Sequence, residues 1–387
     1  MAYMVKYFKT RLTMHTMMSW AKFFWRAALP EPARARVSKA REWGRVLLNY
    51  ALMRSMLANR LHPFGAWPNA LFIEVTNICN ARCVFCAYGQ TTRAKAVMPM
   101  ELFRDAVTQF LDAARGPVEI DLTPIVGEPF VDGHLFERLD FLNAQPRVRR
   151  FHFYTNAILM KPEYAQRLAS YGERLWIFCS LGGFDPRTYL NIMGVDKFHE
   201  AAANIKHLAE TKQRLASKLH LQINIRAPRG NAKGELWDHL CRLRDAGIVL
   251  IDANEDFDNW GGKITAEDLK KAGLTPKEVR ARRGPCHRLI TGPAVLADGR
   301  VNACTCRDCE ATLIIGDLRQ ERLADILSGP KLKDLLARHE RGDFPGVCVK
   351  CTWYDSLYPG WMRSRGWRVF QGLFGGYASP KASGREE

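Results

Sequence analysis

The chain has 387 residues, of which 47% are hydrophobic, and a formal net charge of +17 at pH 7. This composition excludes an intrinsically disordered protein, and it suffices for two packed domains or for one large domain with a smaller appendage. Residues 1–60 contain 12 Lys or Arg against two Glu, so +10 of the net charge lies in this segment.

Residues 1–67 are predicted to form a basic helical extension in which aromatic residues such as Trp20 and Trp25 are interleaved with the charges. We favour an amphipathic helical pair packed on the main domain. The alternative is peripheral contact with an anionic membrane surface, a nucleic acid or an acidic partner protein. Lys22 and Arg26 interrupt the most apolar stretch, residues 14–29, so no transmembrane helix is predicted. The stretch also lacks a small-residue cleavage site, so no signal peptide is predicted.

Eleven cysteines without an export signal indicate a reducing compartment, and a cytoplasmic location is predicted. Closely spaced cysteines in such a compartment more often bind metal than form disulfides. Nine of the eleven lie within residues 79–86 and 286–351, which predicts two metal-binding regions. Cys179 and Cys241 stand alone, and we interpret both as packing residues.

Strand-like and helix-like segments alternate from residue 71 to residue 252. Strands are predicted at 71–75, 118–122, 150–154, 175–180, 219–225 and 249–252, and helices at 134–145, 161–171, 198–212 and 235–246. Repeated βα units of this length indicate an α/β fold with a parallel sheet or barrel and helices outside. Ligand sites in such folds lie at the carboxyl ends of the strands.

That edge collects polar residues from all six predicted strands. Cys79 follows the first strand, and the following strand ends contribute Gly127, Glu128, Thr155, Asn156, Ser180, Asn224, Arg226, Asp252 and Asn254. We therefore expect one binding site at this edge.

Cys79, Cys83 and Cys86 place three thiols within eight residues, on a loop after a strand. Three soft ligands so close together can hold three corners of a 4Fe-4S cluster and leave the fourth iron open to a substrate or cofactor. The alternative is a zinc site completed by a distant ligand such as His152 or a cysteine of the second group.

The C-x3-C-x2-C spacing, with Phe85 before the last cysteine, resembles the signature of the radical S-adenosylmethionine (SAM) superfamily. Three further segments resemble motifs of that family. Gly127-Glu128-Pro129 resembles its GGEP element, Thr155-Asn156-Ala157 its TNG element, and residues 180–185 its S-x-D-G-x-D pattern. The sequence departs from these patterns at Val126, Ala157 and Gly182.

The resemblance implies a partial (β/α)6 TIM-like barrel over residues 68–262. It implies that SAM chelates the open iron and is cleaved reductively to a 5′-deoxyadenosyl radical, which abstracts hydrogen from a substrate. The three loop cysteines would be catalytic. The SAM contacts would come from Phe85, Gly127, Glu128, Asn156, Ser180, Asn224 and Arg226, and the electron from a donor such as flavodoxin or ferredoxin.

The second group comprises Cys286, Cys304, Cys306, Cys309, Cys348 and Cys351, with a predicted hairpin around Asp298-Gly299 and a helix at 328–339. A zinc ribbon is one interpretation. Residues 280–355 also resemble the SPASM and twitch auxiliary-cluster domains. In the single-cluster twitch arrangement, Cys286, Cys304, Cys348 and Cys351 would hold a second 4Fe-4S cluster.

Cys306 and Cys309 are surplus to that set. We favour buried thiols, and the alternatives are ligands of a further cluster or a hydrogen donor. The predicted domain spans 263–355, and residues 356–387 form a partly flexible tail. Residues 256–262 resemble a linker whose aromatic residue lines the substrate cavity, and a bare turn is the alternative.

A cluster with four cysteine ligands has no open iron, so its natural role is electron transfer. The sequence therefore predicts a radical SAM oxidoreductase that acts on a small molecule or a peptide. Two alternatives remain. One is a redox-neutral epimerase in which a cysteine returns a hydrogen atom, and the other is a metal-stapled nucleic-acid-binding protein. Nucleic acid is disfavoured because the basic residues concentrate in the extension.

Overall fold

The computed structural model describes residues 69–356 except 115, 229, 255 and 280. These residues all belong to one compact unit, Leu52–Leu357. The predictions for the basic extension, and for the tail beyond residue 356, lie outside the described residues. Within the part that is described, no helix is long and apolar enough to cross a membrane.

Nine strands form one sheet in the described residues. They are β1 (Ala70–Ile73), β2 (Val118–Asp121), β3 (Val148–Thr155), β4 (Leu175–Leu181), β5 (His220–Ile225), β6 (Leu250–Ala253), β7 (Ala294–Val295), β8 (Arg300–Asn302) and β9 (Ile314–Asp317). The six strands predicted for residues 71–252 are β1 to β6, with ends that differ by up to two residues. The prediction of an α/β fold is confirmed.

The helices connect and cover these strands. They are α1 (Met100–Ala113), α2 (Leu135–Ala144), α3 (Ala165–Ser170), α4 (Pro186–Met193), α5 (Phe198–Arg214), α6 (Glu235–Asp245), α7 (Ala266–Lys271), α8 (Arg288–Thr291), α9 (Leu323–Ser328), α10 (Pro330–Arg341) and α11 (Gly346–Lys350). Short 3₁₀ turns occur at Ala87–Gln90, Pro129–Val131, Pro162–Tyr164, Gly172–Arg174 and Trp260–Gly262.

Sequence reasoning missed helices α1 and α4, the second of which contacts the cysteine loop. Helix α1 buries Phe103, Val107 and Phe110, which recur at helical spacing. Helix α4 begins after Asp185, whose carboxylate accepts a hydrogen bond from the Thr188 N–H. The helix predicted at 161–171 is confirmed only in part: α3 covers Ala165–Ser170, whereas Pro162–Tyr164 forms a proline-led 3₁₀ turn.

The sheet order is β6-β5-β4-β3-β2-β1-β7-β8-β9. Neighbouring strands from β1 to β6 are parallel, whereas the hairpin β7-β8 and strand β9 pair antiparallel. Strand β7 joins β1 in parallel through Phe72↔Ala294 and Ile73↔Val295. The cysteine-rich C-terminal region therefore shares one sheet with the βα units, and this continuity fixes the cysteine groups relative to each other.

Side chains alternate between the two faces of the parallel strands. On β4, Ile177 and Cys179 are fully buried, whereas Phe178 and Ser180 on the opposite face are partly exposed. Cys179 is thus a core residue, as predicted. Cys241 is partly exposed on α6.

Candidate active site

A cavity of about 590 Å³ lies at the carboxyl ends of β1 to β6. All ten residues predicted to form the loop cluster or to contact SAM line it. They are Cys79, Cys83, Phe85, Cys86, Gly127, Glu128, Asn156, Ser180, Asn224 and Arg226. The parallel topology brings them together, since the carboxyl ends of all six strands lie at one edge of the sheet.

The cysteine loop is anchored to the end of helix α4. The backbone N–H groups of Arg82 and Val84 donate to the carbonyls of Met193 and Ile192, at 3.0 and 2.9 Å. Gly194 ends the helix in a left-handed conformation, and a β-carbon there would lie 2.4 Å from the Arg82 carbonyl oxygen. A helix that sequence reasoning missed therefore shapes the loop.

The three thiols of this loop are suited to a metal cluster. Burial raises the pKa of Cys79 to about 12, and it also raises the pKa of Cys83, to which Cys86 and Cys79 add. Without a cation beside them the thiols stay protonated, whereas bound iron stabilises the thiolates. Among the residues that the structure describes, no three His, Cys, Asp or Glu side chains are arranged to hold a single metal ion.

Glu128 is fixed at the cavity wall by hydrogen bonds from three donors. Its carboxylate accepts from the Thr155 hydroxyl at 2.7 Å and from the Asn156 and Phe130 N–H groups at 2.8 and 3.3 Å. Burial raises its pKa to about 7 although these donors favour the ionised form. Such a carboxylate gains stability from a cationic ligand, for example an ammonium group.

Gly127 lets the chain approach the cysteine loop closely. Its φ is +126°, and a β-carbon there would lie 2.1 Å from the Thr76 carbonyl oxygen. The next N–H, of Glu128, donates to the Ile78 carbonyl at 2.8 Å. Any side chain at position 127 would therefore push this segment away from the loop.

Asn156 connects the same segment to the first cysteine. Its amide donates to the Asn80 side chain at 2.8 Å and lies 3.9 Å from the Cys79 sulfur. The following residue, Ala157, has a φ of 63°, a conformation that favours glycine. Ala157 therefore adopts the left-handed backbone conformation that the glycine of the TNG pattern would favour.

Asn224 and Arg226 occupy the other side of the cavity. Asn224 accepts a hydrogen bond from the Gln222 amide at 2.8 Å. The Arg226 guanidinium lies 5.8 Å from the Phe85 ring, and its buried Nε has no hydrogen-bond partner among the described residues. Desolvation lowers the pKa of this arginine. An anionic or acceptor-rich ligand in the cavity would complete its hydrogen bonding.

Sequence reasoning missed a cation enclosed by two tryptophans. The Arg307 guanidinium lies 4.5 Å from the Trp260 ring and 4.8 Å from the Trp353 ring, and it donates to the Asp258 carboxylate at 2.7 Å. Trp260 belongs to the segment 256–262, which was interpreted either as a linker with a cavity-lining aromatic residue or as a bare turn. Because Trp260 lines the cavity, the structure supports the first interpretation. In the sequence, the position of Arg307 directly after Cys306 was the feature that could have indicated a cation near the cysteines.

A second cavity contains the other predicted ligand set. Cys286, Cys304, Cys348 and Cys351 line it together with Cys306. Arg282 donates to the carbonyls of Cys348 and Cys351 at 2.6 and 2.7 Å and so holds that pair. Burial raises the pKa of Cys286 to about 12 and of Cys351 to about 11, so these thiols also gain from bound iron.

Four residues line both cavities, namely Arg288, Cys306, Arg307 and Trp353. Cys306 is therefore shared between the two sites rather than merely buried. Cys309 is buried, and its carbonyl accepts hydrogen bonds from the Thr91 hydroxyl and Arg93 Nε at 3.2 and 2.7 Å. The two surplus cysteines thus differ in placement.

Comparison with known proteins agrees with these two sites. Residues 73–221 match the family model of the radical SAM superfamily, and residues 286–352 match the SPASM model, an iron–sulfur cluster-binding domain. The two parts of the chain that match are those that carry the two cysteine groups.

Curated relatives are distant. A GTP 3′,8-cyclase of Mannheimia succiniciproducens is 25% identical over 237 residues, which cover 59% of this chain and 68% of that protein. A probable GTP 3′,8-cyclase of Thermococcus kodakarensis is 26% identical over 290 residues, covering 68% and 90%.

Similar solved structures include BtrN in complex with AdoMet and 2-DOIA, with 17% identity, a TM-score of 0.47, and coverage of 73% of this chain and 92% of that chain. Streptococcus suis SuiB bound to the precursor peptide SuiA has 16% identity and a TM-score of 0.49, and the match covers 70% of this chain and 66% of that chain.

Proposed function

Because the chain is a radical SAM enzyme with a C-terminal SPASM domain, we propose that it oxidises an organic substrate held between its two cysteine sites. The two domains imply a 4Fe-4S cluster that works with SAM, and auxiliary iron–sulfur binding. One observation carries the proposal. The cavity that collects every predicted SAM contact shares four lining residues with the cavity of the auxiliary cysteines.

Each set of residues has a role in this proposal. Cys79, Cys83 and Cys86 hold the catalytic cluster. Glu128, fixed by Thr155 and Asn156, receives the SAM ammonium group, because a buried carboxylate with a raised pKa gains most from a cation. Arg226 takes the SAM carboxylate, Asn224 and Ser180 bind the ribose, and Phe85 packs against the cofactor.

When bound, the cluster and SAM supply a carbon radical able to take a hydrogen atom from an unactivated C–H bond. The cavity residues hold the substrate and exclude water. After the C–H bond breaks, the substrate loses a proton to the His152–Asp121 pair, whose side chains lie 3.3 Å apart in the cavity wall. Cys286, Cys304, Cys348 and Cys351 would hold an auxiliary cluster that could accept the remaining electron. A carrier such as flavodoxin or ferredoxin would supply the electron for SAM cleavage and would take up the electron released by the substrate.

A second candidate is the cyclisation of GTP, supported by the names of the two curated relatives. This candidate predicts that GTP is consumed in a SAM-dependent reaction. The oxidation proposal predicts that GTP is untouched. Incubation of the anaerobic holoenzyme with GTP, SAM and a reductant, followed by chromatography of the nucleotides, distinguishes the two.

Epimerisation is a third candidate, supported by the position of Cys306 in both cavities. A thiol that returns hydrogen would carry solvent deuterium into the product. Oxidation predicts a product without solvent deuterium and an active Cys306→Ala variant. Epimerisation predicts deuterium in the product and loss of the product in that variant.

The proposed function is tested by iron and acid-labile sulfide per chain after anaerobic reconstitution, together with an assay for 5′-deoxyadenosine. About eight of each per chain corresponds to two 4Fe-4S clusters. About four would contradict the auxiliary cluster and indicate a zinc site in the second region. Little iron with bound zinc, and no 5′-deoxyadenosine, would overturn the whole proposal.

A further inference from the structure

Most of the charged side chains that line the main cavity have a partner of opposite charge or hydrogen-bond donors, but some do not. Four of its carboxylates contact a basic side chain or several hydrogen-bond donors. Asp258 pairs with Arg307 at 2.7 Å, and Asp256 pairs with Lys277 at 3.2 Å. Asp121 lies 3.3 Å from His152, and Glu128 accepts from its three donors. Asp252, on β6, lies near enough to Arg226 to favour its charged form. Two cavity arginines, Arg226 and Arg288, have no carboxylate within ion-pair distance among the described residues. Arg226 is assigned to the SAM carboxylate, which leaves Arg288 without an assigned partner.

Arg288 is also unsatisfied in its hydrogen bonding. Its Nε is buried and has no hydrogen-bond partner within the described part of the chain, and its guanidinium lies 5.9 Å from the Trp353 ring. The residue starts helix α8, two positions after Cys286, and lines both cavities. A partly buried guanidinium without an acceptor is costly, so this arrangement favours a ligand that supplies one.

Thr305 presents a second unpaired donor to the same cavity. Its side chain is 1% exposed, and its buried Oγ1 has no hydrogen-bond partner among the described residues. Thr305 lies between Cys304 and Cys306, on the loop that separates the cavities. A hydroxyl and a guanidinium facing one cavity form a typical set for binding an oxyanion.

We propose that the substrate carries an oxyanion, a phosphate or a carboxylate, that binds to Arg288 and Thr305. This inference rests on the proposed function, because it assigns the auxiliary side of the cavity to the substrate and the Glu128 side to SAM. An anion held there directs the rest of the substrate toward the catalytic loop. It also keeps the reacting part of the substrate between the two cysteine sites.

Binding of small oxyanions to the full-length, anaerobically reconstituted holoenzyme with SAM tests the proposal. The probes are radiolabelled inorganic pyrophosphate and succinate, measured separately by equilibrium dialysis, and the tighter probe identifies the source of the oxyanion. The variants are Arg288→Gln, Arg288→Lys and Thr305→Val. The matched control is Arg341→Gln, an exposed arginine at the end of α10.

We expect Arg288→Gln to weaken binding by about tenfold or more, as for loss of a charge-assisted hydrogen bond. Thr305→Val should weaken it less, Arg288→Lys should retain part of it, and Arg341→Gln should match the wild type. Equal binding to the wild type and Arg288→Gln would overturn the inference, as would no binding of either probe. Loss of iron in Arg288→Gln with unchanged probe binding would also overturn it and assign Arg288 to the auxiliary cluster.

Different results would contradict the proposed function and the oxyanion site. A wild-type holoenzyme that makes no 5′-deoxyadenosine contradicts the proposed function. A wild type that cleaves SAM, but whose probe binding does not depend on Arg288, contradicts only the oxyanion site.

Discussion

The indole N–H of Trp260 donates a hydrogen bond of 2.7 Å to the carbonyl oxygen of Phe85, 175 residues away in sequence. Phe85 lies in the cysteine loop, and Trp260 lies in the segment that follows β6. The same indole ring contacts the Arg307 guanidinium. One side chain thus ties the cysteine loop of residues 79–86 to the loop that carries Cys304 and Cys306.

Trp260→Phe is expected to loosen the cysteine loop of residues 79–86. The Phe85 carbonyl would lose its donor, at a cost of about 1 kcal/mol. We expect iron to be lost to a ferrous chelator about fivefold faster from the anaerobic holoenzyme. Trp237→Phe is the control, because Trp237 packs on Phe184 away from the cavity. Equal rates in both variants would show that the hydrogen bond does not hold the loop.

Gly127→Ala is expected to destabilise the protein and to abolish SAM binding. The new β-carbon would meet the Thr76 carbonyl oxygen at 2.1 Å, and the φ of +126° is unfavourable for alanine. We expect a loss of about 3 kcal/mol in the free energy of unfolding. Gly133→Ala is the matched control, since nothing lies within 4 Å of its added carbon. Denaturation and equilibrium dialysis with SAM measure both effects, and similar behaviour of the two variants would contradict the close approach.

Removing one cysteine from each group should affect SAM cleavage and product formation differently. Cys79→Ala is expected to abolish SAM cleavage, because the catalytic cluster needs three thiolates. Cys351→Ala is expected to keep some uncoupled SAM cleavage but to end product formation, because the electron from the substrate has no acceptor. Quantifying 5′-deoxyadenosine and product separates these outcomes. Full cleavage in Cys79→Ala would contradict the catalytic assignment, and equal loss of both activities in Cys351→Ala would indicate a structural role.

Arg307→Met is expected to lower the reduction potentials of the clusters. The guanidinium is enclosed by Trp260, Trp353 and Asp258 beside both cysteine sites, and a nearby cation stabilises the more negative, reduced state of a cluster. The backbone N–H of Arg307, 3.4 Å from the Cys304 sulfur, is kept in the variant. Redox titration monitored by EPR gives the potentials. Arg307→Lys should shift them less and Arg341→Met not at all, and unchanged potentials in Arg307→Met would refute the effect.

His339 should make the protein less stable in mild acid. Burial lowers its pKa to about 4, Arg338 lowers it further, and Asp343 opposes the shift. The unfolded chain binds this proton near pH 6.5 and the folded chain does not, so stability falls as the pH drops from about 6.5 to 4 and is unaffected above that range.

Over this whole pH range, the free energy of unfolding is expected to fall by about 2–3 kcal/mol. Thermal unfolding of the wild type and of His339→Leu, compared between pH 7 and pH 5, measures it. The ring packs on Phe344 at 4.8 Å, so leucine suits its surroundings. The wild type should lose more stability than the variant as the pH falls, and parallel pH curves would show that His339 binds its proton equally in the folded and unfolded states.

The sequence by itself determined the parallel βα order, both cysteine groups and ten of the residues that line the main cavity. The reason is local: hydrophobic runs favour strands, and short cysteine spacings favour metal ligands whatever lies elsewhere in the chain. The same reasoning placed Glu128 and Asn156, because parallel strands end at one edge.

Only the tertiary structure decided how the two cysteine groups relate to each other. The pairing of β7 with β1 joins residues more than 200 positions apart, and no local pattern encodes it. That pairing brings Arg288, Cys306, Arg307 and Trp353 to the wall between the cavities. Long-range pairing and the packing of side chains around buried charges depend on the whole chain, which is why the roles of Arg307 and Arg288 emerged from the fold alone.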